Sequence, residues 1–240
     1  KNNNKRKYIE RSIYDEAKSL LPYFENKSVN ILYSDTWHKG VLGIVASRLI
    51  EISYKPTILM TYIEEDDIYS GSARSIEGFD IYKALTMCSN LLVKYGGHKY
   101  AAGLSIKREN INEFINKFEQ IVKENITEDI LTPKIKIDSD IRLNELSDYF
   151  FDMLQKFEPY GYGNSQKILE STDVTIVSQN NKYIKIKQDD SKIYNANIHG
   201  IEHLINAQNI NNKCDICYTL NYNPYINKIN IVIKDINFKA

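Results

Sequence analysis

Two short stretches of the sequence combine glycine with side chains that suit a phosphate ligand. In "KYGGHKYAAG" (94–103), Gly96 and Gly97 stand directly before His98, although the chain has only ten glycines. Adjacent glycines permit positive φ and let main-chain N–H groups approach an anion closely. In "GSARS" (71–75), two hydroxyls and a guanidinium occur within five residues, a set that matches the oxygens of a phosphate.

A third stretch, "TWHKGVLGIVASRL" (36–49), has Trp37 and His38 just before a predicted helix with a small, apolar first turn. A helix start without bulky side chains suits an anion or close packing. Each of the three stretches also has a simpler explanation. The GGH could cap a helix, "GSARS" could be a strand-end turn with a solvated arginine, and Trp37 could be a core residue beside a capping His38.

Strands and helices alternate over the first half of the chain, and these elements must position the three stretches. Apolar residues recur at helical spacing over 108–126, which predicts an amphipathic helix. The other patterns predict helices over 5–21, 40–52 and 78–97, with Asp80 and Gly96 as the caps of the last, and strands over 29–34, 55–63, 68–76 and 100–106. This alternation indicates an α/β layer fold.

The pattern changes after about residue 127. "KIKIDSDIRL" (134–143) alternates like a half-buried strand, and "NELSDYFFDMLQKF" (144–157) predicts a helix. Several short alternating strands follow over 166–240, which predicts a small all-β barrel. We therefore expect a domain boundary between residues 145 and 165.

Composition limits the classes of function. Lys and Arg together number 31 and so do Asp and Glu, so any nucleic-acid binding must depend on local basic patches. Three cysteines argue against a disulfide scaffold and suit a reducing cytoplasm. No apolar run approaches the roughly 18 residues of a membrane span. The chain starts at Lys1 without a Met, so we expect it to be a piece of a longer protein.

The three stretches, in this order, resemble the DHHA1 domain, the substrate-binding domain of the DHH phosphoesterase superfamily. The Trp-His helix start is most similar to the RecJ family of single-strand-specific 5′→3′ DNA exonucleases, and residues 135–164 and 214–236 resemble the approach to that family's oligonucleotide-binding (OB) domain and its last strands. The resemblance implies a linker helix (1–25), a DHHA1 mixed sheet with flanking helices (26–145), a connecting helix and turn (146–165) and an OB-like barrel (166–240).

The resemblance also implies roles for particular residues. His98 would contact the scissile phosphate at a cleft facing the metal centre, and Gly96 and Gly97 would permit that approach. Trp37 and His38 would shape the same cleft. Phosphate oxygens would be bound by Ser72, Arg74, Ser75 and, from an N-x-x-R pattern with Asn3, by Arg6.

The predicted barrel carries lysines with interleaved tyrosines, a combination that suits a groove where phosphates pair and bases stack. These residues are Lys182, Tyr183, Lys185, Lys187, Lys192 and Tyr194. An ordinary solvated strand face is the alternative.

No Asp-His-His motif occurs in the sequence. The resemblance implies that a divalent metal, Mn or Mg, is bound by a DHH domain absent from this chain, so we expect no metal here and no cleavage by this chain alone. His199, His203, Cys214 and Cys217 have spacings found in zinc sites. We do not favour zinc, because residues i and i+3 of a strand point to opposite faces.

The expected partners are single-stranded DNA and other repair proteins, and the expected state is a cytoplasmic monomer without membrane association. Two other functions stay open from the sequence. One is a non-catalytic single-strand-binding module, and the other is a relative of the RNA or cyclic-dinucleotide phosphodiesterases.

Overall fold

The computed structural model describes residues 2–161, 163–189, 191–198, 200–223 and 228–239, and at residues 2, 3, 203, 207, 223 and 228 it describes only the backbone. The chain divides into two units, Lys1–Lys134 and Ile135–Ala240. The predicted fold class, an α/β sheet followed by a small β-barrel, is confirmed. Of the helices in the described ranges, none combines the length and apolarity needed to cross a bilayer.

The first unit is a five-stranded mixed sheet with helices on both faces. Its elements are α1 (Asn2–Leu20), β1 (Asn30–Ser34), α2 (Leu42–Ser53), β2 (Thr57–Ile63), β3 (Ile68–Arg74), α3 (Ile81–Met87), β4 (Leu92–His98), β5 (Ala101–Lys107), α4 (Ile111–Asn125) and α5 (Glu128–Leu131). The strand order is β1-β2-β3-β5-β4. Only β1 and β2 are parallel, and the other neighbours are antiparallel.

Successive residues of the central strands supply two separate cores, because a strand alternates between its two faces. Ile58 and Met60 of β2 pack on the side of α3 and α4, where Phe114 and Phe118 are fully buried. Leu59, between them, packs on the opposite side with α1 and α2. The amphipathic helix predicted over 108–126 is confirmed as α4.

The helix predicted over 78–97 is wrong in its second half. Asp80 does cap α3, since its carboxylate accepts a hydrogen bond from a main-chain N–H of the first turn at 2.9 Å, but α3 ends at Met87. The stretch Leu92–His98 is β4, so Gly96 lies in a strand and caps no helix. A short apolar pattern is compatible with either element, and hydrogen bonding to β5 decides the outcome here.

The second unit is a closed five-stranded barrel with the order β7-β8-β9-β11-β10, in which β10 pairs back onto β7. Its elements are β6 (Ser139–Asp140), α6 (Asp148–Gln155), β7 (Leu169–Gln179), β8 (Tyr183–Lys187), β9 (Tyr194–Asn197), β10 (Lys213–Asn223) and β11 (Lys228–Phe238). Alternate residues of the strands fill the interior, where the fully buried Tyr218 shares a hydrogen bond with Ser171 at 3.0 Å. Burial raises the pKa of Tyr218 to about 12.

The strand predicted over 134–143 reduces to the two residues of β6, which pair with β7. Ile135 and Ile137 are each 39% exposed, whereas Ile141 and Leu143 are buried in the core of the barrel, so only the second half of the alternation corresponds to a buried face. The segment has a pairing partner on one side only, and the ladder is correspondingly short.

Candidate nucleic-acid interface

The register of the first sheet brings Arg74 and His98 into one row. Arg74 of β3 pairs with Ala101 of β5, and Ala101 pairs with His98 of β4. Paired residues of antiparallel strands project to the same face, so the guanidinium and the imidazole project from one face, with their backbones about 10 Å apart. Only the methyl group of Ala101 lies between them.

A second row lies two residues farther along the same strands. Ser72 pairs with Gly103, and Gly103 pairs with Gly96. Ser72 also pairs with Leu59 of β2, whose side chain packs with α2. The two rows therefore lie on the sheet face that carries α1 and α2. These helices cover that face over β1 and β2, and they leave it open over the two rows.

A third row consists of Ser70, Ser105 and Lys94. The hydroxyls of Ser70 and Ser105 are 3.3 Å apart and share a hydrogen bond. A cavity of about 300 Å³ lies over the second and third rows, and Lys39, from the turn before α2, also lines it. We call the three rows together with Lys39 the sheet groove.

The glycines of this region are required for different reasons. Gly97 has φ of 146°, and a Cβ there would overlap the backbone of Ala101 and Ala102, so the hairpin itself requires glycine. A Cβ on Gly96 would meet no atom within 4 Å, and one on Gly103 would have its nearest neighbour at 3.8 Å. The fold does not require glycine at these two positions. Their effect is that no side chain rises from the floor of the sheet groove there.

Arg74 is held against α2. A Cβ on Gly43 would overlap its guanidinium, which donates a hydrogen bond from Nη1 to the carbonyl of Ala73 at 2.9 Å. Partial burial lowers the pKa of Arg74. Among the described residues no carboxylate forms an ion pair with this guanidinium. Its remaining N–H groups are therefore a preorganised donor set for an anion.

The other predicted contacts of this unit have distinct placements. Ser75 is committed to its own loop, since its hydroxyl donates to the carbonyl of Phe79 at 2.8 Å. His38 caps the turn before α2, with Nδ1 accepting from the N–H of Gly40 at 3.1 Å. Trp37 is 4% exposed and packs in the core between the sheet and α2, and it does not line the cavity of the groove.

Arg6 lies on the exposed side of α1. The side chain of Asn3, the other member of the N-x-x-R pattern, is outside the part of the chain that the structure describes.

On the barrel, β8 presents a basic face. Tyr183, Lys185 and Lys187 alternate with the buried Ile184 and Ile186 and are exposed. Lys182, directly before the strand, is exposed too. This part of the sequence prediction corresponds to one outward strand face, which we call the β8 face.

Tyr194 does not belong to the β8 face, contrary to its grouping by sequence. It pairs with Ile186, so its ring projects to the interior side of the barrel. Its hydroxyl donates to the carbonyl of Leu143 at 2.7 Å, and burial raises its pKa. Lys192 lies over the ring, with Nζ 5.0 Å from the centroid. Spacing along the chain cannot show this, because the turn between β8 and β9 sets which face each residue of β9 occupies.

Family models match both units. Residues 26–124 match the DHHA1 domain, and residues 137–235 match the RecJ OB domain. The chain belongs to the RecJ family.

Its relatives include proteins named single-stranded-DNA-specific exonuclease RecJ. The chain is 32% identical to the RecJ of Haemophilus influenzae over 197 residues, which is 77% of this chain and 34% of that protein. It is 30% identical to the RecJ of Bacillus subtilis over 155 residues, which is 62% of this chain and 20% of that protein. The chain thus spans about a third or less of the length of these relatives.

The fold is also that of a solved RecJ. The crystal structure of RecJ in complex with Mg²⁺ from Thermus thermophilus matches 99% of this chain with a TM-score of 0.77 and 20% identity, and the chain covers 36% of that protein. At this identity the match establishes the shared fold of the RecJ-family chain.

No set of three or more His, Cys, Asp or Glu side chains is placed to hold a metal in the described parts of this RecJ-family chain. Cys214 and Cys217 are buried in β10, and burial raises the pKa of their thiols to about 12 and about 11. His199 and the side chain of His203 lie outside the described residues, so the prediction about zinc stays a prediction.

Sequence reasoning missed several residues of the sheet groove. The helix predicted over 78–97 includes Lys94. A helix does not place positions 94, 96 and 98 on one face, whereas the strand that forms here does. The missed residues are Lys39, Ser70, Lys94 and Ser105. Their types are visible next to the quoted motifs, but their common face follows from pairing between distant strands.

Proposed function

We propose that this chain is the substrate-binding part of a single-stranded-DNA exonuclease, and that the sheet groove holds the sugar–phosphate backbone of one strand. The observation that carries the proposal is the groove itself, in which glycine, alanine and serine form the floor and Arg74 and His98 project from one row as a guanidinium and an imidazole. Among the residues that the structure describes, no carboxylate lines the cavity. The names of the relatives indicate the substrate class.

In this proposal each side chain has a physical role. Arg74 grips phosphate oxygens through its unpaired N–H groups, Ser72 adds a hydroxyl donor, and His98 contacts the phosphate that is cleaved. The open positions above Gly96 and Gly103 let the backbone lie directly on the sheet. The cavity of about 300 Å³ is at the lower end for ligand sites, and in the proposal it takes the backbone of one strand.

The β8 face is a second contact in the same proposal. In OB barrels the face of the second and third strands binds oligonucleotides, and β8 is the second strand of this barrel. Lys185 and Lys187 would pair with phosphates, and Tyr183, which is 43% exposed, offers a ring for stacking. Such contacts tolerate any base, so binding depends weakly on sequence.

The divalent metal of the family does not fit the sheet groove. Solved RecJ structures contain Mg²⁺ or Mn²⁺. These ions prefer carboxylate oxygens, whereas the groove offers one imidazole, hydroxyls and cations. We therefore assign no metal step to the residues of this chain, and the proposal places the metal ligands elsewhere in a longer protein. The predicted domain boundaries, 5′→3′ polarity, repair partners, monomeric state and cytoplasmic location stay predictions.

Fluorescence anisotropy with a labelled oligothymidine tests the proposal. Arg74→Ala should weaken binding by about tenfold, because hydrogen bonds to charged groups contribute about 1.5–3 kcal/mol. Arg11→Ala is the matched control, since Arg11 is exposed on α1 and only approaches Asp15, at 4.0 Å. Unchanged affinity in Arg74→Ala, or equal affinity of the wild type for duplex and single strand, would contradict the proposal.

A binding role without catalysis is the second candidate. It is favoured by the lack of any grouped metal ligands among the described residues. Cleavage of an end-labelled oligonucleotide by the longer protein, lost on His98→Ala, would decide for the exonuclease. An oligoribonucleotide bound more tightly than its deoxy counterpart would favour an RNA-directed relative.

A further inference from the structure

The sheet groove extends well beyond the row that contains Arg74 and His98. Lys94 precedes His98 by four residues on the same face of β4, and the register between them is regular. At about 3.4 Å per residue, the two side chains begin about 14 Å apart along the strand. Side chains stand roughly perpendicular to a sheet, so Lys94 and His98 face different phosphates of a bound strand, and the far end of the groove serves a different part of that strand.

The far end has the composition of an anion site. Lys94 projects from the edge strand β4, and Lys39 lines the same cavity from the α2 side. Ser105 lies in the floor between them, its hydroxyl held by the buried Ser70. No described carboxylate lies within ion-pair distance of either lysine, whereas Lys27, on the other side of the unit, is paired with a carboxylate at 2.6 Å.

We propose that Lys39, Lys94 and the hydroxyl of Ser105 form a second phosphate-binding subsite for the same strand. The inference rests on the proposed function, because it extends the groove assigned there. Stacked nucleotides rise about 3.4 Å each, so the subsite takes a phosphate no more than about four nucleotides from the one at His98. The subsite thereby sets a minimum length of strand for full affinity.

The chain is suited to a direct test, because it has only ten glycines. Labelling glycine with ¹⁵N gives few amide signals, and Gly71, Gly96 and Gly103 report on the sheet groove. Gly161 and Gly200 lie in the second unit and separate binding at the barrel from binding at the groove. The probes are a 5′-phosphorylated thymidine dinucleotide and an octanucleotide.

The variants are Lys39→Gln, Lys94→Gln and their double variant, with Lys123→Gln on the exposed side of α4 as the control. Each groove variant should lower the affinity for the octanucleotide by about three- to tenfold. It should also reduce the slope of log affinity against log salt concentration by about 0.7. Dinucleotide binding at Arg74 should be unchanged, and the octanucleotide should shift the Gly96 and Gly103 signals.

The two proposals fail in different ways. Octanucleotide affinity and salt slope equal to the control in the double variant, while Arg74→Ala still weakens binding, would overturn the second subsite and leave the proposed function in place. Loss of dinucleotide affinity equal to the loss of octanucleotide affinity would also overturn it, because the lysines would then act at the first phosphate. No effect of Arg74→Ala would instead contradict the proposed function.

Discussion

Arg74 of β3 and Gly43 of α2 lie against each other in the space between the two elements. The sequence alone does not indicate this contact, because the two residues are distant in the chain. A side chain at position 43 would occupy the volume of the guanidinium. The obstruction is the far end of a flexible side chain, so Arg74 would move and the backbone would stay. Gly43 is thus a positioning residue, because it decides where the guanidinium points without contacting a ligand.

Gly43→Ala should therefore leave the fold intact and weaken single-strand binding. Alanine favours a helix over glycine by up to about 1 kcal/mol, so the thermal midpoint should stay or rise. Affinity for an oligothymidine should fall several-fold, and the double variant Gly43→Ala/Arg74→Ala should bind no more weakly than Arg74→Ala alone. Additive losses in this double-mutant cycle would show that Gly43 acts independently of Arg74.

At the scale of elements, the hairpin of β4 and β5 supplies much of the proposed site, and it is the part that the sequence predicts least well. The stretch before His98 has apolar residues that also suit a helix, and only pairing with β5 makes it a strand. Elements with a long, one-sided apolar pattern are predicted correctly, as α4 shows. Local pattern suffices where one face is buried over several turns, and it fails where the partner strand decides.

The adjacent glycines of this hairpin should respond oppositely to alanine. Gly97→Ala should destabilise the first unit by at least about 2 kcal/mol, because φ of 146° and overlap with β5 both oppose a Cβ. Gly96→Ala should leave stability unchanged and weaken oligonucleotide binding. Denaturation followed by the fluorescence of Trp37, the only tryptophan and a core residue of this unit, measures the difference. Equal destabilisation by both variants would contradict the inference that glycine at position 96 makes room for a ligand.

At the scale of the whole molecule, two units with separate cores present basic surfaces in a chain of zero net charge. Groups of basic side chains lie in the sheet groove, with Lys39, Arg74 and Lys94, and on the β8 face, with Lys182, Lys185 and Lys187. Zero net charge therefore does not argue against the proposed binding of a polyanion, because attraction depends on local potential.

Binding by this chain should not require a divalent metal, since its own cations neutralise the phosphates. At constant ionic strength, about 0.1 mM Mn²⁺ or EDTA should leave the affinity for an oligothymidine within about twofold. An end-labelled strand should stay intact with Mn²⁺ present. A gain in affinity of about tenfold with Mn²⁺, or cleavage that His98→Ala abolishes, would show that this chain holds a functional metal site.

The sequence by itself determined the order of the motifs, the alternating first half, the strand-rich second half and the residue types that could bind phosphate. Tertiary structure decided which of those residues lie together. His98, Ala101 and Arg74 share a row, and Lys94 joins their face, because hydrogen bonds between strands that are distant in the chain set the register. The same effect removes Tyr194 from the β8 face. Which residues share a face depends on how the strands pair, and strand pairing joins residues that are distant in the chain.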